Sequence, residues 1–113
     1  MTGTASQIEW AGQIRARVDA EFHRVAEAFR TAAGNQLAED RRFDRDDTMS
    51  IVAILEERRL EAMANDHAGY FIRNWQELTD QVRRTIAADA RYREIKCRRE
   101  MMRRHAKSQD LNV

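Results

Sequence analysis

No proline occurs among the 113 residues of the chain. Proline removes a backbone hydrogen-bond donor and clashes with the preceding turn, so a chain without it can form long, uninterrupted helices. Alanine, arginine, glutamate, leucine and methionine, which all favour helices, are frequent in this sequence. The sequence therefore predicts an all-α fold, with three or four helices in an antiparallel bundle, as a single domain over residues 1–113.

The longest apolar stripe lies in the first third of the chain. Its members recur at spacings of three or four residues, which places them on one face of a helix. They are Ile8, Ala11, Ile14, Val18, Phe22, Val25, Phe29 and Ala32. Gly34 and Asn35 follow and tolerate the left-handed backbone angles of a helix end. We expect a first helix over residues 6–33, capped at its start by Ser6 or Thr4.

This stripe is long for a chain of 113 residues. A monomer of this size leaves part of such a face uncovered, which makes a homodimer plausible. Trp10 lies at the edge of the stripe, and an exposed tryptophan there is a candidate interface anchor. The polar ends, residues 1–5 and 108–113, are expected to be loose.

The pattern between the first and second helices leaves two interpretations open. Residues 36–48 either begin the second helix at Gln36 or form a turn and a loop before it. From Met49 to Met63 the apolar spacing is helical, and Gly69 marks the turn that follows.

A third stripe is the clearest run of large apolar residues and is expected at the centre of the core. It consists of Phe71, Trp75, Leu78, Val82 and Ile86. We expect one helix that begins near Ala68. The apolar residues after this stripe are rotated by about 120° relative to it, which one straight helix cannot accommodate. A break near Ala88–Ala90 is therefore predicted, with Asp89 as the cap of a fourth helix.

Charge is unevenly distributed along the chain, although its net value is only +1. Residues 35–66 contain nine acidic and five basic residues, whereas residues 90–107 contain eight basic and two acidic ones. The sequence thus predicts a basic terminal helix over residues 90–107. Such asymmetry indicates either an acidic partner for that helix or pairing between segments of the chain.

On a helical wheel the terminal segment separates its apolar and basic residues. Tyr92, Ile95, Met102 and Ala106 fall within an arc of roughly 80°, which we expect to dock the helix. The basic residues of an adjacent arc of roughly 140° form the candidate binding face. They are Arg93, Lys96, Arg99, Arg103, Arg104 and Lys107.

Several uses of the basic face are open. The bases can be solvated or can pair with the acidic segment 35–66. They can also bind an acidic protein, or the phosphates of a nucleic acid, to which arginine donates two hydrogen bonds at once. Our functional hypothesis is a non-enzymatic helical interaction protein, an adaptor, inhibitor or small subunit, that binds an acidic partner. The alternative is a low-specificity electrostatic DNA- or RNA-binding protein that uses the same face.

Other chemistry has weaker support in the sequence. Asp19, His23 and Glu27 share one helix face, but neither a Glu-x-x-His pair nor a second His/Cys cluster accompanies them, so a solvated stripe is the better interpretation. Cys97 lies between two cations but has no visible catalytic partners. We therefore expect neither enzymatic activity nor a metal or other cofactor.

The location of the protein is inferred from what the sequence lacks. No segment approaches the roughly 20 consecutive apolar residues of a membrane-spanning helix. The first residues lack the basic and apolar regions of a secretory signal, and a single cysteine excludes an internal disulfide. A cytoplasmic protein without membrane association is the expectation.

Overall fold

The computed structural model describes the backbone of residues 1–111 and the side chains of residues 1–105 other than Thr79. In this part of the chain the helices are α1 (Ala5–Ala38), α2 (Arg42–Met63), α3 (Ala68–Asn74), α4 (Leu78–Ala88) and α5 (Ala90–Leu111). The predicted all-α class is confirmed. Within these residues no helix combines the length and the hydropathy needed to span a bilayer.

α1 and α2 form a long antiparallel hairpin that is the scaffold of the molecule. Near its closed end, which we call the tip, the buried Thr48 hydroxyl donates a hydrogen bond to the Gln36 side-chain oxygen over 2.8 Å. Further from the tip, Arg59 on α2 pairs with Asp19 on α1 at 2.9 Å. Apolar side chains fill the rest of the space between the helices. Because apolar contacts are not directional, we attribute the register of the two helices to these polar contacts.

The first helix is longer than predicted at its C-terminal end. Of the two predicted caps, Thr4 is the one observed, and it exchanges hydrogen bonds with Gln7 as a capping box. The predicted end at Gly34 is wrong, since α1 continues to Ala38. Nothing forces an end at Gly34, and the next turn is held to α2 by the buried Gln36.

α1 ends instead in a Schellman motif. The backbone N–H of Arg41 donates to the Gln36 carbonyl over 2.7 Å, and that of Asp40 donates to the Leu37 carbonyl over 3.0 Å. Asp40 takes the left-handed position of this motif, with φ of 59°. Because α2 begins at Arg42, residues 36–48 comprise the last turn of α1, a tight turn and the start of α2, rather than either predicted alternative.

We expect the substitution Asp40→Gly to raise the free energy of unfolding by about 0.5–1 kcal/mol, because glycine adopts positive φ without steric cost. Urea denaturation followed by circular dichroism measures the change. Asp40→Ala is the matched control, and it should not raise stability, since alanine keeps the steric penalty of the Cβ at positive φ. Equal effects of the two substitutions would contradict the assignment of Asp40 to this conformation.

The N-terminal residues, expected to be loose, are held by the connection between α2 and α3. The Thr2 backbone N–H donates to the Asp66 carbonyl over 2.9 Å, and the Thr2 carbonyl accepts from Ala68 over 3.0 Å. The Thr2 hydroxyl also lies 2.6 Å from Nδ1 of His67. This short bridge fixes the start of α1 against the start of α3.

The predicted third helix is two helices, α3 and α4. The described residues therefore form five helices, whereas three or four were predicted. The chain breaks at Trp75, whose ring lies edge-on to Phe22 of α1 with centroids 5.8 Å apart. The amide side chains of Asn74 and Gln76 donate to carbonyls in α3, and the Gln81 side chain accepts from the Glu77 backbone N–H. These amides satisfy the backbone groups that the break exposes.

The arrangement is elongated, with principal extents of 68 × 24 × 18 Å. α3 and α4 pack on α1, and α5 packs on α2. The largest fully buried side chains are Phe22, Phe71, Ile51, Leu55, Val18 and Val82. The core therefore lies where α1, α2, α3 and α4 meet, and most of α5 extends beyond it towards the tip.

Candidate interaction surface on the terminal helix

Asp89 fixes the start of α5. The predicted break falls at this residue, which has extended backbone angles, and its side chain accepts the backbone N–H of Arg91 over 2.9 Å as a helix cap. The carboxylate is buried and also accepts hydrogen bonds from the guanidinium groups of Arg91 and of Arg58 on α2. These donors, Arg91 first, hold the pKa of Asp89 well below its usual range.

From this junction α5 runs antiparallel to α2, and arginine–carboxylate pairs connect the two helices. Arg91 contacts Glu57 at 2.5 Å, and further along α5 Arg98 pairs with Asp47. Arg99 lies 3.7 Å from Asp44. Part of the positive charge of α5 is thus paired with the acidic segment of α2, which is one of the alternatives left open above.

Arg99 differs from the other predicted binding residues in its environment. Only 17% of its side chain is exposed, and it points towards α2. Arg98, outside the predicted basic arc, is paired with α2 as well. A helical wheel cannot distinguish these roles because it does not include the neighbouring helix.

The other described members of the basic face point to solvent. Arg103 and Arg104 are 68% and 79% exposed, and both have a partner on their own helix, Glu100. Arg93 donates to the Ala87 carbonyl over 3.1 Å, and the Lys96 ammonium lies 5.8 Å from the centre of the Tyr92 ring. The side chain of Lys107 lies outside the described residues, as do the side chains of 108–113.

Of the members of the apolar stripe of α5 with described side chains, Tyr92 and Ile95 dock and Met102 does not, while the side chain of Ala106 lies outside the described residues. Ile95 is buried and Tyr92 packs against the core. Met102, predicted to continue this contact, is 59% exposed, so this part of the prediction is wrong. The reason is length: by residue 102 the helix has reached the tip of the hairpin, where little of α2 remains to cover it.

Beside Met102 the surface forms a groove between α2 and α5, which we call the tip groove. It is lined by Arg41, Asp44, Arg99, Met102 and Arg103. Arg41 and Asp44 are not among the residues that the sequence predicted to bind a partner. The acidic composition of residues 35–66 gives only an indirect signal for their place beside α5.

The other candidate residues are engaged in ordinary surface contacts. Asp19 accepts from Arg59, and His23 lies exposed, 3.8 Å from Asp19. Glu27 pairs with Arg30 at 3.6 Å. Among the residues with described side chains, no three His, Cys, Asp or Glu groups lie close enough together to bind a metal ion.

Comparisons of the chain with protein-family models, with curated proteins and with solved structures found no match.

Proposed function

We propose that the protein is a non-enzymatic helical interaction protein that binds an acidic partner protein through α5. The observation that carries this proposal is the solvent exposure of Arg103 and Arg104 at the end of a helix that projects towards the tip. Together with Arg93 and Lys96 they present four cations on one side of α5. Glu100 offsets one of these four positive charges, so the face remains positive.

The internal pairs on the other side of α5 support this proposal by fixing the helix. Arg91, Arg98 and Arg99 all reach carboxylates on α2. A helix held in this way presents its outer cations in a defined geometry, which reduces the entropy lost on binding. Exposed arginine beside exposed methionine is also typical of protein interfaces, which are enriched in both residues.

Nucleic acid is the second candidate partner, and the same exposed cations favour it. Contact with about four phosphates predicts that the logarithm of affinity falls with the logarithm of salt concentration at a slope of about −3.6. Binding to a folded acidic protein has no such fixed slope. The salt dependence of binding to a 20-base-pair duplex therefore separates the two candidates.

The direct experiment is affinity capture from the native host with the full chain at physiological salt, with and without nuclease. We expect an acidic protein that is retained after nuclease treatment. Loss of all captured material on nuclease treatment would favour nucleic acid instead. A captured protein without an acidic surface would contradict the proposal.

We expect reversal of both exposed arginines, Arg103→Glu with Arg104→Glu, to weaken binding of the captured protein by about 10- to 100-fold, since each attraction becomes a repulsion. Fluorescence anisotropy with the purified partner measures the loss. The pair Arg83→Glu with Arg84→Glu is the matched control, because these are also adjacent exposed arginines on a helix, α4. Equal losses in both double variants would indicate a general charge effect and no site on α5.

A further inference from the structure

We infer that the tip groove binds one amphipathic helix of the acidic partner, with acidic residues on both sides of an apolar anchor. The inference rests on the proposed function and adds the structural element that is recognised. It also adds two residues of the α1–α2 hairpin, Arg41 and Asp44, to a site that the sequence placed on the terminal helix alone.

The groove is open because α5 packs on only one helix of the hairpin. Among the described residues, no Cα atom of α5 lies within 8 Å of one in α1, whereas α5 and α2 are in contact. The start of α2 and the second half of α5 form the two sides of the tip groove, and no residue of α1 lines it. The binding of an amphipathic helix in a surface groove is a recurring mode of recognition.

The charges that line the tip groove favour an acidic occupant. Three guanidinium groups line it against one carboxylate, Asp44. Arg41 lies 2.8 Å from one oxygen of that carboxylate and 3.1 Å from Glu39, whereas Arg99 lies 3.7 Å from the other Asp44 oxygen, beyond hydrogen-bond distance. Among the described residues, the ion-pair partner of Arg103 is Glu100 on its own helix, at 3.9 Å, which is also beyond hydrogen-bond distance. Arg99 and Arg103 therefore keep N–H donors for additional carboxylates, whereas Arg41 is already paired.

Met102 supplies the apolar contact of the groove. Its side chain is 59% exposed beside the arginines, and an unbranched thioether adapts to varied apolar surfaces. A phosphate backbone gains nothing from this residue, whereas a leucine or phenylalanine of a partner helix buries against it. The combination of methionine with arginine thus favours a protein helix over a nucleic acid.

The probe for this inference is a fluorescent synthetic peptide of 18 residues, with leucine at helical spacing and glutamate on both flanks. With the full chain at physiological salt, we expect Met102→Ala to weaken binding about tenfold, because burial of the thioether is lost. Met101→Ala is the matched control, since Met101 is the adjacent residue, is 65% exposed and does not line the groove. It should leave affinity unchanged, whereas Arg103→Glu should reduce it.

Each other outcome overturns a defined part of the argument. If Arg103→Glu weakens binding but Met102→Ala behaves like Met101→Ala, the groove is rejected and an acidic partner on α5 remains. If the peptide with glutamine in place of glutamate binds equally well, the proposed function fails with the groove. Displacement of the peptide by a 20-base-pair duplex at the same salt would assign the site to nucleic acid. Dimerisation in sedimentation experiments that Met102→Ala abolishes would assign it to a second copy of the chain.

Discussion

The substitution Asp89→Ala is expected to lower the free energy of unfolding by about 3 kcal/mol. The alanine leaves the guanidinium groups of Arg58 and Arg91 without the carboxylate that they share, and it removes the cap of α5. The wild-type carboxylate is 2% exposed, whereas Arg58 and Arg91 are 36% and 48% exposed, so water offsets only part of the loss, which falls mainly on the shared hydrogen bonds and the cap. Urea unfolding at pH 7 measures the loss, and a change below about 1 kcal/mol would contradict this role of Asp89.

Asp89→Asn separates the two contributions because asparagine also caps helices. We expect it to retain about 1 kcal/mol of the stability that alanine loses. The arginines depress the pKa of Asp89, so the folded state binds fewer protons than the unfolded state at acid pH. The advantage of wild type over Asp89→Asn is therefore complete above the unfolded pKa of about 3.9 and declines as the pH falls below it. An advantage that stays constant down to pH 2.5 would show that the ionised carboxylate is not the stabilising form.

The substitution Phe22→Ala is expected to destabilise the fold by about 3–5 kcal/mol. The side chain is 2% exposed and its ring lies against Trp75, where α3 ends. Removal of the ring leaves a cavity on α1 opposite Trp75, where the chain breaks between α3 and α4. Neither of these short helices has enough local hydrogen bonding to be stable alone, so both depend on this contact. The free energy of unfolding from urea denaturation is the measurement.

Phe43→Ala is the matched control for this prediction. Phe43 is 85% exposed at the start of α2, so the same change of side chain creates no cavity there. We expect an effect within about 0.5 kcal/mol. Similar losses for both phenylalanines would mean that Phe22 is not part of the central core.

Much of the secondary structure follows from local spacing. The apolar stripe of α1, the break at Asp89 and the change of phase between α4 and α5 all follow from helical periodicity. The ends of α1 and α3 do not. Gly34 is compatible with either a helix end or a helix interior, and the burial of Gln36 against α2 decides between them. The break at Trp75 depends on the position of Phe22, more than 50 residues earlier in the chain.

Some features of the candidate site also follow from the sequence, whereas others depend on the tertiary structure. The sequence identified the basic residues of α5, including Arg103 and Arg104, because charge and periodicity are properties of one segment. It did not identify Arg58 as a partner of Asp89, or Arg41 and Asp44 as part of a groove with Met102. Those relationships depend on which residues of α2 lie opposite each turn of α5.

The sequence by itself thus determined that the chain is helical, where most of its apolar faces lie, and that one helix ends and another begins at Asp89. Only the tertiary structure decided which cations of that helix are paired and which remain exposed. The physical reason is that helical periodicity arises from hydrogen bonds and side-chain contacts within about four residues. The pairing of Arg98 with Asp47, in contrast, depends on the packing and register of two helices that are distant in sequence.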